Sequence, residues 1–379
     1  MKSICLISTN WLEDETAFRN HLLSMVKGFL EKGYFVNLIS MDRIEYILIE
    51  HENFKHYKVS FHNNKLSSFT KRALVEAKVA FDAINKANQL NCNYNLVMIP
   101  SMFLLHFSFL LKNKKNILDV RDLSWEYLSD SSYIKRFAKH MFRTIASLNL
   151  NKFLIMNVNS AHEYEYMTNL GFPKQSIMQV QNGVAKNVYI ELSKIDNSVD
   201  YLKPVISYIG NVGLAQDLTT FIEASKSLPD WEFNIVGHGT DFDRVKKLVG
   251  EKKSNLKFWG QVDFVKIKEI YKLSNVLYAQ LTPEFCGAMP SKLYEYLVTG
   301  RYVIYGGVGE ACKNLEKFNN VSIIPPQDVG ALVKELEKIK KLDTYNIISH
   351  SNKFLIEEEF IREDIIDKFI VFFESKLSY

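Results

Sequence analysis

Short β-branched and aliphatic runs alternate with helical segments along this chain, and the alternation runs its course twice. A strand followed by a helical crossover rejoins its sheet most readily in parallel, so this order predicts parallel sheets with helices on both faces. Strands are expected at 3–8, 35–40, 96–99, 117–120 and 153–157, with helices at about 16–32, 69–90, 101–112, 131–149 and 160–170. A polar stretch at 185–203, rich in Asn, Asp and Lys, reads as a linker. Strands then follow at 205–210, 232–236, 256–259, 276–280, 303–305 and 321–324. Helices are expected at 217–227, 240–250, 264–274, 290–299, 309–316 and 328–341, with helical segments from 343 to 377. At 379 residues the chain exceeds one ordinary core. The expected fold class is therefore α/β, with two Rossmann-like doubly wound domains facing a cleft. They span 1–184 and 204–357, and the helix at about 358–379 is expected to pack back on the first domain.

Composition narrows the chemistry. Apolar residues make up 47% and charged residues 24%, as in globular proteins. A net charge of +4 is too small for a nucleic-acid binder but leaves room for a local basic patch. Cys5, Cys92, Cys286 and Cys312 form no CxxC pair, which suits a reducing cytoplasm and predicts neither a disulfide framework nor a zinc site. Met1 to Ser8 runs into a strand pattern and not a signal peptide. The longest apolar run, Met102 to Leu111, is broken by His106 and Ser108 and falls short of the ~20 residues of a membrane span.

The most informative motif is Gly287-Ala-Met-Pro-Ser-Lys-Leu-Tyr-Glu-Tyr-Leu-Val-Thr-Gly300. Ser291 can cap a helix there, and an open helix N-terminus seats a phosphate through free N–H groups and the dipole. Glu295 lies one turn deeper on the same face, ~6 Å along the axis, where its carboxylate could accept from a ribose diol. The alternative is a plain amphipathic core helix with Leu293, Tyr294 and Leu297 buried. Tyr208-Ile-Gly-Asn-Val-Gly213, Val236-Gly-His-Gly239 and Phe258-Trp-Gly-Gln-Val-Asp263 end three successive strands, so glycine-bearing turns precede that helix in order. Each alone could be a steric turn or, for Asp263, a helix cap.

Together with Gly306-Gly-Val-Gly-Glu310, these motifs resemble the nucleotide-sugar half of retaining glycosyltransferases of the large family 4, which have the GT-B fold. The first half adds Asp119-Val-Arg-Asp-Leu-Ser-Trp-Glu126, similar to a segment of the branch that builds bacterial O-antigens and capsules, and Asn182-Gly-Val184. The resemblance implies a hexosyl- or N-acetylhexosaminyl-transferase of surface polysaccharide and lipopolysaccharide biosynthesis. It implies a UDP- or GDP-linked donor, a glycan or polyprenyl-linked acceptor, no cofactor and no metal. It also implies that Gly210, Asn211, Gly213, Pro290 and Ser291 lie near the diphosphate with Lys292 adding charge there, and that Gly237 and Met289 belong to the donor site. Gln261, Val262 and Asp263 would face the base, and Glu295 would bind the ribose. Lys292, Arg121, Asp122 and Glu284 are the catalytic candidates.

The pattern has departures. Gly287 stands eight residues before Glu295, where the family's first motif Glu contacts the donor sugar, and Glu284 is the nearest substitute. Leu214 and Gln216 replace a basic pair, and Thr9 to Thr16 replaces a glycine-rich turn. A sugar-nucleotide 2-epimerase of the same fold and a non-catalytic subunit are the rival readings. Asp119, Arg121 and Asp122 could instead be a structural ion pair and turn cap. Asp241-Phe-Asp243 is formally a metal motif of another fold but starts a helix, where acidic residues belong anyway. Residues 133–143 place apolar side chains at 134, 137, 138, 141 and 142 among cations. That pattern fits a helix docked on the sheet or a surface resting on anionic lipid at the inner face of the cytoplasmic membrane.

Overall fold

The structure, a computed structural model, describes residues 1–12, 16–41, 49–59, 69–99, 102–123, 125–126, 133–196, 203–249 and 255–377. The chain forms two units, Met1–Asn182 with Arg362–Tyr379, and Gly183–Ile361. In the first unit the strands are β1 (Ser3–Trp11), β2 (Phe35–Met41), β3 (Phe54–Lys58), β4 (Tyr94–Ile99), β5 (Asn116–Val120), β6 (Phe153–Val158) and β7 (Ile177–Gln179). They pair in parallel in the order β3-β2-β1-β4-β5-β6-β7. Every residue of β4 and β5 is buried, as a sheet covered on both faces requires.

One face of this sheet is covered by the helices Ala17–Glu31 and Arg362–Leu377. The first is capped by Thr16, whose hydroxyl accepts from the Arg19 N–H at 3.1 Å, and it buries Leu22, Met25, Val26, Phe29 and Leu30. Each such side chain contributes roughly 1.5–3 kcal/mol on full burial. Phe373 of the second helix packs edge-on against Phe29 with centroids 5.8 Å apart, and the Tyr34 hydroxyl donates to Glu374 at 2.8 Å. At Gly28 a Cβ would stand 2.9 Å from Ile366, so the two helices touch backbone to side chain.

The second unit contains β8 (Val205–Ile209), β9 (Glu232–Val236), β10 (Leu256–Gly260), β11 (Val276–Gln280), β12 (Tyr302–Gly306) and β13 (Val321–Ile324), again parallel, in the order β10-β9-β8-β11-β12-β13. The order reverses between β8 and β11, and that reversal is where doubly wound sheets open a crevice at their carboxyl ends.

Several details differ from the sequence-based expectations. β3 and β7 were not anticipated, because β3 is a half-exposed edge strand of alternating polarity and β7 is only 3 residues long. The helix expected at 101–112 is a short helix Met102–His106 followed by a 3-10 turn Ser108–Leu110. The stretch read as an irregular linker instead begins with the helix Lys186–Leu192, and Leu192 and Ile195 join the core of the second unit. The remainder of that stretch at 197–202, Glu13 to Glu15, Ser124, and the Ile134 and Lys135 side chains lie outside the described residues.

Gly237 shows how closely the strand ends meet. Its φ is 126°, and a Cβ there would sit 1.9 Å from the Gly210 carbonyl oxygen. Gly237→Ala should therefore lower unfolding stability by about 3 kcal/mol or more, since backbone must move. Gly330→Ala, in a helical position where a Cβ would make only an ordinary contact with Asp328 Oδ1 at 3.4 Å, should be neutral or stabilising by up to about 1 kcal/mol. Urea unfolding of the two variants checks the contrast, and equal midpoints would sink it.

Candidate functional site

At the carboxyl ends of the second sheet, backbone bonds knit the glycine turns together. The Gly210 N–H donates to the Val236 carbonyl at 3.0 Å, the Gly237 N–H to Gly260 at 2.8 Å, and the Val212 N–H to His238 at 3.1 Å. A Cβ on Gly239 would stand 2.3 Å from the Val212 carbonyl oxygen, so this turn too requires glycine. Asn211 is exposed on the turn, while Gly213 is buried beneath it.

Across the strand reversal, β8 and β11 pair only at Ile206–Val276 and Ser207–Leu277. Beyond that point β8 lacks a strand partner on this side. Tyr296, from the helix Ser291–Thr299, supplies one: its hydroxyl accepts from the Ile209 N–H and donates to the Ile209 carbonyl, both at 2.8 Å. This double bond seats the helix on the strand end and brings the Lys292 stem to within 3.8 Å of where a Gly210 Cβ would be. Lys292 and Glu295, three positions apart, form an ion pair at 2.9 and 2.7 Å, and the Tyr271 hydroxyl donates to Glu295 at 3.2 Å. The Glu295 side chain is 20% exposed and that of Lys292 36%, so the pair sits at the surface of the crevice.

Pro290, not Ser291, occupies the cap position, and Ser291 is the first helical residue. Proline has no side-chain acceptor, so no side chain at the cap takes up the first-turn N–H groups. That strengthens the anion-seat geometry by a route different from the expected serine cap. Met289 is a core residue behind the turn, and Gly309 abuts the Cys286 carbonyl, where a Cβ would stand at 2.1 Å. Gln261 is exposed and Val262 half-buried against the core. The Asp263 carboxylate caps the helix Phe264–Leu273, accepting from the Lys266 N–H at 2.8 Å. Glu284 lies fully in solvent in the 3-10 turn Pro283–Phe285, with its carboxyl held below the usual range by backbone and Thr282 hydrogen bonds. Asp241 is bound by Arg244 through both carboxylate oxygens, at 2.7 and 2.5 Å, which is a structural pair.

In the first unit, Asp119 is fully buried between His21 at 2.9 Å and Arg121 at 2.9 Å. Arg121 spends its remaining donors on the Val180 carbonyl at 3.0 Å, Asn157 and Asn159. This cluster ties β5, β6 and the helix Ala17–Glu31 together, and Arg121, a catalytic candidate by sequence, is thereby held within the fold. Asp122 is half-buried near Glu163, whose carboxylate closes a capping box at Ser160. Glu126 binds Arg143 and the Tyr166 hydroxyl, and Lys139 lies 3.7 Å away. The helix Tyr133–Asn149 turns Phe142 and Ala146 inward. Phe137 and Met141, which the docked reading would bury and the lipid-facing reading would expose, are 70% and 40% exposed, and Tyr133 and Leu148 on the same side are exposed too. The His106 Nε2–H donates to the Phe142 carbonyl at 2.9 Å, and the ring packs against Trp125.

Tyr296 was missed by sequence reasoning. Its signal was available, because a Tyr among buried aliphatic positions needs a partner for its hydroxyl.

The site is thus a glycine-lined strand-end crevice closed by a helix N-terminus, a cation and a carboxylate, a build that suits a phosphate-bearing ligand. Residues 203–341 match the model of the family described as glycosyl transferases group 1, so this unit carries that domain. No curated protein sequence matches the chain. Among solved structures, sucrose-phosphate synthase of Thermosynechococcus elongatus superposes with a TM-score of 0.78 at 15% identity, covering 100% of both chains. HepE of Anabaena, in complex with UDP and glucose, gives 0.68 at 14% over 98% of each chain. WaaG, a glycosyltransferase involved in lipopolysaccharide biosynthesis, gives 0.67 at 12% over 97% of this chain and 98% of its own. The fold is GT-B, and the glycosyl transferase match lies within the second unit.

Two buried groups give opposite pH signatures. Burial, and then the Arg121 charge, lower the His21 pKa from 6.5 to about 4. Between those values the unfolded state binds a proton that the folded state refuses, so His21 makes stability fall as pH falls from 6.5 to 4. Burial raises Glu163 from 4.5 to about 7, so here the folded state holds the extra proton and stability falls as pH rises from 4.5 to 7. Urea midpoints of the wild type relative to His21→Gln and to Glu163→Gln should drift in these opposite directions. Parallel drifts would refute the assignment.

Proposed function

We propose that the protein is a retaining glycosyltransferase that uses a nucleotide sugar, UDP- or GDP-linked. It would transfer a hexosyl or N-acetylhexosaminyl group to a glycan or polyprenyl-linked glycan in surface-polysaccharide assembly at the cytoplasmic face of the membrane. The observation that carries this reading is the helix Ser291–Thr299, which Tyr296 seats at the β8–β11 reversal with Lys292 beside Gly210 and Glu295 one turn below. The HepE structures with UDP and with UDP-glucose support the donor class, and the likeness to WaaG supports the polysaccharide setting.

In this reading, cleavage of the glycosidic C–O bond leaves negative charge on the diphosphate. The first-turn N–H groups and Lys292 stabilise that charge, an electrostatic contribution larger in the transition state than in the bound donor. Glu295 accepts from the ribose diol. The acceptor hydroxyl enters on the face that the leaving group vacates, and the stereochemistry is retained. With Gly287 in place of the first motif carboxylate and Glu284 in solvent, recognition of the donor sugar falls to backbone and loop shape.

For the membrane contact, the supporting feature is the exposed stripe of Tyr133, Phe137, Met141 and Leu148 with Arg136 stacked on Tyr133 at 4.6 Å. No helix among the described residues is long and apolar enough to cross a membrane. Lys139 and Arg143 are engaged with Glu126, so Arg136 is the cation to test. The double variant Arg136→Glu, Phe137→Ser should lose co-sedimentation with anionic phosphatidylglycerol vesicles. Unchanged co-sedimentation would remove the membrane from the proposal.

A thermal-shift screen with nucleotides and nucleotide sugars tests the donor. A ligand at 100 times its dissociation constant adds roughly 2.7 kcal/mol, a readily measured shift. Glu295→Ala should abolish the shift with the best hit, and a full shift in that variant would refute the ribose assignment.

A further inference from the structure

Gln280, the last residue of β11, is 1% exposed, and each side of its amide is occupied. Its Oε1 accepts from the Tyr278 hydroxyl and from the Gln327 N–H, both at 2.8 Å. Its Nε2 donates to the carbonyls of Gln216 at 3.1 Å and Asp217 at 2.8 Å. A backbone N–H can only donate and a carbonyl can only accept, so these partners fix the orientation of the amide.

The two carbonyls end a turn that begins in the glycine loop, since the N–H groups of Gln216 and Asp217 return to the Gly213 carbonyl at 3.1 and 3.3 Å. The Thr282 N–H holds Ala215 at 2.8 Å, and the Gln216 side chain accepts from Asn211 at 3.4 Å. Asp217 sits at φ 34°, a left-handed conformation that a non-glycine residue holds only under constraint. Its carboxylate is held by Thr219 at 2.7 Å, Gln327 at 2.6 Å and Arg244 at 3.2 Å. Gln280 is the buried centre from which this strained turn is fastened.

We propose that Gln280 is a positioning residue for nucleoside-diphosphate binding. Through the Gly213–Asp217 turn it fixes the Gly210–Gly213 loop opposite the start of the helix Ser291–Thr299. This rests on the reading of that loop and helix as the diphosphate seat. Only a neutral amide suits the position: a carboxylate would set an oxygen against two carbonyl oxygens, and an aliphatic side chain would leave all four partners without Gln280.

The test is calorimetry of UDP and GDP binding to the full chain. In Gln280→Glu and Gln280→Leu the dissociation constant should rise about tenfold or more, with the binding stoichiometry per folded chain unchanged. Tyr278→Phe, which removes one partner of the Oε1 and leaves both Nε2 bonds, should stay within about twofold of wild type. A reduced stoichiometry at an unchanged dissociation constant would mean that Gln280 only supports folding, and would overturn the proposal. Should the Gln280 variants not fold, Arg244→Ala loosens Asp217 from the half-exposed side. It should weaken binding in the same direction, and unchanged binding there overturns the inference. If Glu295→Ala loses nucleotide while the Gln280 variants keep it, the seat stands and the inference falls. If the wild type binds neither nucleotide, both fall.

Discussion

The second unit is organised by an incomplete strand pairing. β8 and β11 share a short register and then part, because the crossovers on the two sides of the sheet run in opposite directions from this point. Parting leaves backbone polar groups that would cost free energy if buried without partners. The Tyr296 hydroxyl takes over for the missing strand at Ile209. One side chain therefore does two jobs, satisfying the strand end and fixing where a helix begins. The position of Lys292 and Glu295 follows from that single attachment.

Much of the fold was legible in the sequence. The buried parallel strands read as aliphatic runs because both faces of each sheet are covered, so β9 and β11 were placed at their observed bounds. The edge strand β3 was not legible, since Phe54-Lys-His-Tyr-Lys58 is half solvated and carries no such run. The site was legible as an order of glycine turns and a helix start. What the sequence did not reveal were the long-range polar ties, Tyr296 to Ile209 and Gln280 to the 213–217 turn. Those depend on which strand ends lie side by side, and residue spacing along the chain does not encode that adjacency. The serine cap failed for a local reason: Pro290 fixes the turn one residue earlier than the capping preference of Ser291 suggested.

The first unit gives the converse lesson. Asp119-Val-Arg-Asp122 carries the charges of a catalytic group, and both readings fitted the sequence. In the fold, Asp119 is buried between His21 and Arg121, with the carboxyl held below its usual range by those two neighbours although burial alone would raise it. A buried pair of this kind is a weak source of net stability, but removing one partner strands the other charge. Such a cluster specifies the arrangement of β5, β6 and the adjoining helix more than it stabilises it.

The helix Arg362–Leu377 completes the first unit from the far side of the second in sequence. Tyr34 and Glu374, which bond directly, are 340 positions apart. A ribosome must therefore translate the whole of the second unit before Phe369, Ile370 and Phe373 can reach the face that Phe29 and Leu30 present. Until then that apolar face of the nascent first unit stays open. The unit that begins to form first is finished last, and a chaperone able to shield this face would have the entire synthesis of the second unit in which to act.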